Sequence, residues 1–202
     1  MAPVLALDGP SRFYGKLLGA SGRVLVLGAG DGLVAAALAS RGHEVVAVEA
    51  SPSLRAMVLE RKATLAHPER LTVSADDPRT LWLGRTFNLV LAPHKALGLA
   101  QSPDELHALL SVVARHLEAG GTFAFDALNE PGTGDPRRPR GVPHLRERSR
   151  AIHALAPLRL SAATLDEALD SVGLVARERF CDFHETPFAP DAQLQVVVGG
   201  PG

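Results

Sequence analysis

Three glycines and one glutamate between residues 23 and 52 have the types and spacing expected of a nucleoside-binding site. Gly28, Gly30 and Gly32 follow one short apolar run, and Glu49 follows a second. Glycine permits a close approach of the backbone to a ligand, where a Cβ atom would collide. A carboxylate accepts hydrogen bonds from two adjacent hydroxyls, such as those of a ribose. Together these residues predict that the chain binds a nucleoside.

The spacing of the glycines indicates which class of nucleotide is favoured. The dinucleotide fingerprint G-x-G-x-x-G requires a glycine at position 33, where this chain has Leu33. The pattern present is G-x-G-x-G. A nucleoside without a pyrophosphate is therefore expected, and a nicotinamide-dependent dehydrogenase is the weakest alternative.

The surrounding elements place these residues at one edge of a sheet. Val24–Leu27 and Val45–Val48 are short apolar runs typical of buried strands, and Leu33–Ser40 between them has a helical pattern. In a doubly wound sheet, ligands bind beyond the carboxyl ends of the strands, where Glu49 lies. The order of elements over residues 1–202 predicts a single α/β domain of this kind.

Composition and charge limit the classes of function. The chain has 202 residues, a net charge of −1 and one cysteine, Cys181. The near-zero net charge provides no overall field for a nucleic acid or an anionic membrane. A single cysteine excludes an intrachain disulfide and a multi-cysteine zinc site, and the histidines lack metal-ligand spacing, so no metal is expected. Without a membrane-spanning run or a secretory signal, the sequence predicts a soluble, cytoplasmic protein.

Three segments resemble the class I S-adenosylmethionine-dependent methyltransferases. They are VLVLGAGDG at residues 24–32, VVAVEASP at 45–52 and LEAGGTFAFDAL at 117–128. The resemblance implies a Rossmann-like, mostly parallel sheet of seven strands that ends in an antiparallel C-terminal pair. It also implies S-adenosylmethionine as cofactor and S-adenosylhomocysteine as product. The implied reaction is in-line transfer of a methyl group to a nitrogen or oxygen atom of a small molecule.

The resemblance also implies a set of cofactor-binding residues. In the family, the glycine turn holds the methionine part, the acid after the second strand holds the ribose, and an acid after the third strand reaches the adenine amine. The matching residues are Gly28, Ala29, Gly30, Gly32, Glu49, Ala50, Asp76, Asp77 and Ala92. Asp76 is the better-aligned acid for adenine, whereas Asp77 fits an Asx turn.

Two residues are candidates for a role in catalysis. His94 follows the fourth predicted strand, beside the expected methyl group, and histidine suits proton removal near neutral pH. The alternative is a loop histidine hydrogen-bonded to the backbone, and the neighbouring Lys95 is expected to be solvated. Tyr14 lies in a lead-in over residues 1–22, where similar enzymes often carry an aromatic that closes over the cofactor. Its alternative is packing at the sheet edge with the hydroxyl in solvent.

Three positions depart from the family pattern: Ala119 replaces a proline, and two others replace acids. Val26 stands where the family usually has an acid that helps to hold the amino group of the cofactor. Asn88 stands where similar enzymes have an aspartate that supports the fold. The departure at Val26 bears on cofactor affinity, and the departure at Asn88 bears on the fold.

Residues 131–158 match the family least. They are rich in arginine and proline and have no apolar period, which predicts a loop or lid. Two further functions stay open: a methyltransferase that acts on RNA or protein through Arg137–Arg150, and a non-catalytic binding protein of the same fold. Because no aromatics interleave the arginines and Asp135 and Glu147 lie nearby, a solvated loop is expected there. Chain length and near-zero net charge favour a small-molecule acceptor as the partner over a nucleic acid.

Overall fold

The computed structural model describes residues 9–19, 21–130 and 158–202. Its helices are α1 (Gly9–Tyr14), α2 (Leu33–Ser40), α3 (Pro52–Ala63), α4 (Pro103–His116) and α5 (Ala162–Asp170), with 3₁₀ turns at Pro68–Arg70 and Ala96–Leu99. Its strands are β1 (Arg23–Leu27), β2 (Glu44–Val48), β3 (Leu71–Ser74), β4 (Phe87–Ala92), β5 (Leu117–Asn129), β6 (Arg159–Leu160), β7 (Leu174–Phe180) and β8 (Leu194–Pro201). None of the helices in these ranges has the length and apolarity to cross a bilayer. The predicted loop or lid lies outside the described residues, except for residue 158.

The strands form one sheet in the order β3-β2-β1-β4-β5-β8-β7. β1 to β5 are parallel, and β8 runs antiparallel to both β5 and β7. The predicted doubly wound fold with an antiparallel C-terminal pair is therefore confirmed. The sheet has one strand more than the seven predicted, because β6 pairs with the end of β5. A strand of two residues has no alternation that a sequence pattern can detect.

Apolar side chains cover both faces of the sheet. In β1 and β2 every residue after the first is buried, as parallel strands require when helices cover both sides. Because side chains alternate along a strand, neighbouring residues belong to different cores. Leu27 and Ala92 lie in one core, and Val26 and Tyr14 lie in the other.

Asn88 joins three strands at their amino ends. Its Oδ1 accepts a hydrogen bond from Arg23 N at 2.8 Å, and its Nδ2 donates to Glu118 Oε2 at 2.6 Å. Arg23 and Glu118 also form an ion pair. This polar group links β1, β4 and β5 at the end of the sheet opposite to Glu49. The departure at position 88 therefore concerns the fold and has no contact with the candidate site.

His116 at the end of α4 is buried as a neutral imidazole. Its Nδ1 donates to the Val112 carbonyl at 2.8 Å, and its Nε2 accepts from Leu83 N at 3.1 Å. Only the neutral ring can donate from one nitrogen and accept at the other. Burial, and to a smaller extent the Arg115 charge, lowers the pKa of His116 from its ordinary value of 6.5.

This burial predicts a loss of stability in mild acid. Since the unfolded chain binds a proton more readily than the folded one, the contribution of His116 is complete above the unfolded pKa of about 6.5 and falls as the pH drops through the lower folded value. Urea unfolding of wild type and His116→Gln from about pH 7.5 to about pH 5 measures this contribution. The variant should lose less stability than wild type over that range, whereas His67→Gln, at an exposed histidine, should follow wild type. Parallel pH dependences in wild type and His116→Gln would contradict the assignment.

Candidate active site

The glycine turn is fixed to the end of β2 by backbone hydrogen bonds. The N–H groups of Gly28 and Ala29 both donate to the carbonyl of Val48, at 2.9 and 3.0 Å. Gly30 has a φ of 60°, in the left-handed region that favours glycine. The turn therefore lies directly against the strand that precedes Glu49.

The Glu49 carboxylate lies beside this turn. Its Oε2 accepts from Gly30 N at 2.8 Å, and its Oε1 accepts from Ser51 N at 2.9 Å. The residue is only 7% exposed. A carboxylate has about four acceptor positions, so this one keeps capacity for the hydroxyls of a ligand. The structure brings together the two features that the sequence singled out, and the contact with a ribose stays a prediction.

A cavity of ≈ 240 Å³ opens on one side of the glycine turn. The carboxyl ends of β1 and β4, the loop after β3 and the 3₁₀ turn at Ala96–Leu99 contribute to its walls, which are mainly apolar. Among the predicted cofactor residues, it is lined by Gly28, Ala50, Asp77 and Ala92. An apolar cavity with a few polar groups at its edge is typical of a site for a small organic ligand, such as a purine.

Two predicted cofactor residues, Gly32 and Ala29, pack against the protein interior and do not line the cavity. Gly32 has a φ of 83°, and a Cβ atom there would lie 3.0 Å from the Cα of Val58 in α3. The close approach that this glycine permits is therefore to a helix. Ala29 is completely buried in the core that contains Val26.

The two aspartates after β3 differ in position. Asp77 lines the cavity and forms the expected Asx turn by accepting from Arg79 N at 2.8 Å. The Arg79 guanidinium also donates to it, at 2.7 Å from Nη2 to Oδ2, and these hydrogen bonds lower the pKa of Asp77. Asp76 is exposed and accepts from the Ser74 hydroxyl. Asp77 is thus the acid at the cavity, although Asp76 is better aligned in sequence.

His94 lies in a left-handed turn at the carboxyl end of β4. His94 and Lys95 have φ values of 60° and 59°, and Ala96 N closes the turn on the Pro93 carbonyl at 3.2 Å. This conformation costs about 1–2 kcal/mol for each non-glycine residue, and such strain is often found at functional sites. The exposed ring adjoins Gly30, because a Cβ atom there would lie 2.9 Å from His94 Cδ2. Its action as a base stays a prediction.

Tyr14 lies beneath the site, in the core. The residue is 0% exposed and makes edge-to-face contacts with Phe13 and Phe183. Its hydroxyl donates to Asp126 Oδ1 at 3.0 Å. Burial, together with the Asp126 charge, raises the pKa of Tyr14, which keeps the hydroxyl protonated. The expectation of a hydroxyl in solvent is wrong, because a buried hydroxyl requires a partner. A direct catalytic part for Tyr14 stays a prediction.

Asp126 is a buried carboxylate beside the His94 turn that the sequence analysis did not assign. It lies near the carboxyl end of β5 and is 2% exposed. Its Oδ2 accepts from Lys95 N at 3.1 Å, and Lys95 Nζ lies 3.9 Å from the same oxygen. The Lys95 side chain is 43% exposed, so it faces solvent, as expected, as well as Asp126. The available signal was its place in LEAGGTFAFDAL, where a carboxylate follows an apolar strand run.

The residues present fit a nucleoside ligand. Gly28 and Gly30 are partly exposed, and they let Ala96 and His94 pack closely against the turn, because an added Cβ atom would lie 3.0 Å from Ala96 Cβ or 2.9 Å from His94 Cδ2. Glu49 keeps acceptor positions for a ligand, and its neighbour Ala50 lines the apolar cavity together with Gly28. Within the described ranges, no group of three or more His, Cys, Asp or Glu residues is arranged to hold a metal ion.

A family model described as a methyltransferase domain matches residues 24–121. The match is to a methyltransferase domain and covers just under half of the chain. The match runs from β1 into β5 and so includes the glycine turn, Glu49, the cavity and the His94 turn. The resemblance to class I S-adenosylmethionine-dependent methyltransferases is thereby confirmed.

One curated relative of the methyltransferase domain is the cypemycin N-terminal methyltransferase of a Streptomyces species. It is 41% identical over 107 residues, which are 52% of this chain. The matched part spans only 42% of the length of that relative.

Solved methyltransferases share the fold of nearly the whole chain. The CcbJ methyltransferase from Streptomyces caelestis superposes with a TM-score of 0.78 at 21% identity, covering 96% of this chain and 88% of its own. The glycopeptide N-methyltransferase MtfA, complexed with sinefungin, has a TM-score of 0.72 at 22% identity, and the match covers 98% of this chain and 96% of MtfA. MtfA has also been solved with S-adenosylmethionine and with S-adenosylhomocysteine.

Replacing Gly30 by alanine should destabilise the domain and displace the His94 ring. Alanine in the left-handed conformation costs about 1–2 kcal/mol. The added Cβ atom would lie 2.9 Å from His94 Cδ2, and the exposed ring can rotate away. Urea unfolding and the NMR shift of His94 Hδ2 measure the two effects.

Gly84→Ala is a matched control, because Gly84 has a φ of 64° and no atom lies within 4 Å of its Cβ position. It should lose a similar free energy of unfolding without a shift at His94. A His94 resonance that does not move in Gly30→Ala would contradict the packing described.

Proposed function

We propose that this chain is an S-adenosylmethionine-dependent methyltransferase that acts on an amine nitrogen of a small molecule or a peptide. The observation that carries the proposal is the junction of the glycine turn with the Glu49 carboxylate, at the edge of an apolar cavity. In this proposal the backbone of the glycine turn lies close to the cofactor. The Glu49 carboxylate accepts from the ribose hydroxyls, and the apolar cavity holds the adenine. The methyltransferase match over residues 24–121 supports the same reaction.

The residues of the chain bind and orient the reactants, because methyl transfer from a sulfonium requires no protein nucleophile. S-adenosylmethionine, when bound, supplies a methyl carbon activated by the positive sulfur. Glu49 holds the ribose hydroxyls, and Asp77 accepts from the adenine amine at the cavity. Arg79 keeps the Asp77 carboxylate ionised and fixes its direction.

His94 is the base in this proposal. Its exposed ring adjoins the glycine turn at the carboxyl end of β4, where an acceptor from solvent can reach it. A neutral imidazole nitrogen removes the proton that an amine loses on methylation. Aligning the acceptor while excluding water is the main contribution of the surrounding fold.

The curated relative favours an amine acceptor over a hydroxyl. The cypemycin N-terminal methyltransferase is 41% identical over 107 residues, and its name states an amino terminus as its site. Two structural neighbours also methylate nitrogen: the glycopeptide N-methyltransferase MtfA and the sugar N-methyltransferase KedS8. An RNA or protein substrate docked on Arg137–Arg150 would use a segment that lies outside the described residues.

Removing the Glu49 carboxylate should weaken binding of S-adenosylhomocysteine. Loss of charge-assisted hydrogen bonds to the ribose predicts a cost of about 1.5–3 kcal/mol in Glu49→Ala. Glu49→Gln should cost less, since one acceptor remains. Isothermal titration calorimetry measures the affinities, and thermal unfolding checks that the variants are folded.

Glu44→Ala is the matched control on the same strand. Glu44 lies at the amino end of β2 and pairs with Arg85 at the surface, so its removal should leave the affinity unchanged. Equal affinities of wild type and Glu49→Ala would show that the ribose is held elsewhere. If wild type binds no S-adenosylhomocysteine at millimolar concentration, the enzyme assignment fails and a non-catalytic protein is favoured.

Transfer can be tested with S-adenosylmethionine carrying a labelled methyl group. Peptides with a free amino terminus and amino sugars should gain the label on nitrogen, while the matching N-acetylated compounds should not. His94→Gln should lower kcat by about 10²–10⁴-fold, as loss of a general base does, and the exposed His67→Gln should not. Label found only on hydroxyl oxygens would refute the amine acceptor, and an unchanged kcat in His94→Gln would refute the base.

A further inference from the structure

Asp126 is a buried carboxylate to which the proposed reaction assigns no role. Its side chain is only 3% exposed. Burying a charged group is costly unless partners compensate. Two hydrogen bonds reach it, from the Tyr14 hydroxyl to Oδ1 and from Lys95 N to Oδ2. They occupy about half of the acceptor positions of a carboxylate, so acceptor capacity remains for a cation.

Asp126 lies on the face of the sheet opposite to the cavity, on the other side of the glycine turn. Val26 pairs with Leu91, and Leu91 pairs with Ala124, and all three belong to one core. Asp126 follows Ala124 by two residues, so its side chain is on the same face, nearer the carboxyl edge. The cavity residues Leu27 and Ala92 belong to the opposite core.

That face has no acid at position 26. Val26 is 0% exposed and lies among apolar side chains, so it cannot attract an ammonium group. The other acids near the glycine turn have backbone or arginine partners: Glu49 at the turn itself, Asp31 with Arg61, and Asp77 with Arg79. Asp126 is a buried carboxylate on the Val26 face, and the charged side chain that faces it is Lys95.

The cation that faces Asp126 is loosely held. Lys95 Nζ lies 3.9 Å from Oδ2. A charge-assisted hydrogen bond is shorter, at roughly 2.7–2.9 Å. The Lys95 side chain is 43% exposed, so it can move at little cost. An ammonium group from a ligand can therefore take its place beside the carboxylate.

We propose that Asp126 and Lys95 form the subsite for the amino-acid end of the cofactor, with Asp126 accepting from the α-ammonium and Lys95 donating to the α-carboxylate. The proposal rests on the proposed function. A free amino-acid group carries one charge of each sign, and the Lys95–Asp126 pair offers the complementary signs. A ligand with adenine in the cavity and ribose at Glu49 extends its remaining atoms past the glycine turn toward this pair.

Tyr14 is a positioning residue in this arrangement. Its hydroxyl holds Oδ1 from within the core, which leaves the outer positions of the carboxylate for the ligand. Lys95 N holds Oδ2 through the strained turn that also carries His94. The same contact thus orders the amino-acid subsite and the turn of the candidate base.

Two ligands that differ only in the amino-acid end separate this proposal from the proposed function. S-adenosylhomocysteine carries that end, and 5′-methylthioadenosine has a methyl group in its place. In Asp126→Asn, calorimetry should show S-adenosylhomocysteine bound about tenfold to a hundredfold more weakly, as loss of a charged hydrogen bond predicts. The affinity for 5′-methylthioadenosine should not change. The asparagine carbonyl still accepts from Lys95 N, so the variant should fold.

Lys95→Gln should weaken S-adenosylhomocysteine alone, by about three- to tenfold, because a solvent-exposed charge contributes less. Tyr14→Phe keeps the charge and should cause a smaller loss than Asp126→Asn, again confined to S-adenosylhomocysteine; it serves if Asp126→Asn does not fold. Glu49→Ala should weaken both ligands. Asp166→Asn, at an exposed ion pair with Arg179, should change neither.

Equal effects of Asp126→Asn on both ligands, or no effect on either, would overturn this proposal while leaving the proposed function standing. If wild type binds neither ligand, the proposed function fails and this subsite fails with it.

Discussion

The site depends on one constraint, the pair of backbone hydrogen bonds that the Glu49 carboxylate accepts from Gly30 and Ser51. These bonds join the glycine turn after β1 to the residues after β2, and they supply hydrogen-bond partners to a carboxylate that is only 7% exposed. An unpaired carboxylate at this burial would be costly. Because the backbone pairs it without using all its acceptor positions, the same group can hold the turn and still bind a ligand.

The parallel sheet explains why separate parts of the chain meet at this point. Parallel strands have their carboxyl ends at one edge, so the residues after β1, β2, β4 and β5 become neighbours. Because side chains alternate along each strand, the residues at the strand ends lie on one or the other face of the sheet. Leu27 and Ala92 contribute to an apolar cavity on one face, and Asp126 with Tyr14 provides a polar group on the other. A ligand with an aromatic end and a zwitterionic end matches this division.

The sequence was sufficient to predict the fold and the position of Glu49 at the end of β2 beside the glycine turn, because these follow from local patterns: apolar runs, glycine spacing and an acid at a strand end. It was less reliable where a side chain has partners distant in the chain. Tyr14 and Asp126 are 112 positions apart, and no local pattern predicts that hydroxyl–carboxylate bond. Asp77 lines the cavity and Asp76 does not, a difference between adjacent residues that the alignment of the loop after β3 does not show. The strand β6 was not predicted, because a strand of two residues is too short to show alternation of apolar and polar residues.

The departure at Val26 has a physical interpretation in this fold. A valine there completes an apolar core around Ala29 and Tyr14, and Asp126 is a buried carboxylate on the same face of the sheet. The most direct test of the account is a crystal structure of the chain with S-adenosylhomocysteine. The account predicts ribose hydroxyls within hydrogen-bond distance of Glu49, adenine in the cavity beside Asp77, and the α-amino group at Asp126. A ribose bound away from Glu49 would contradict it.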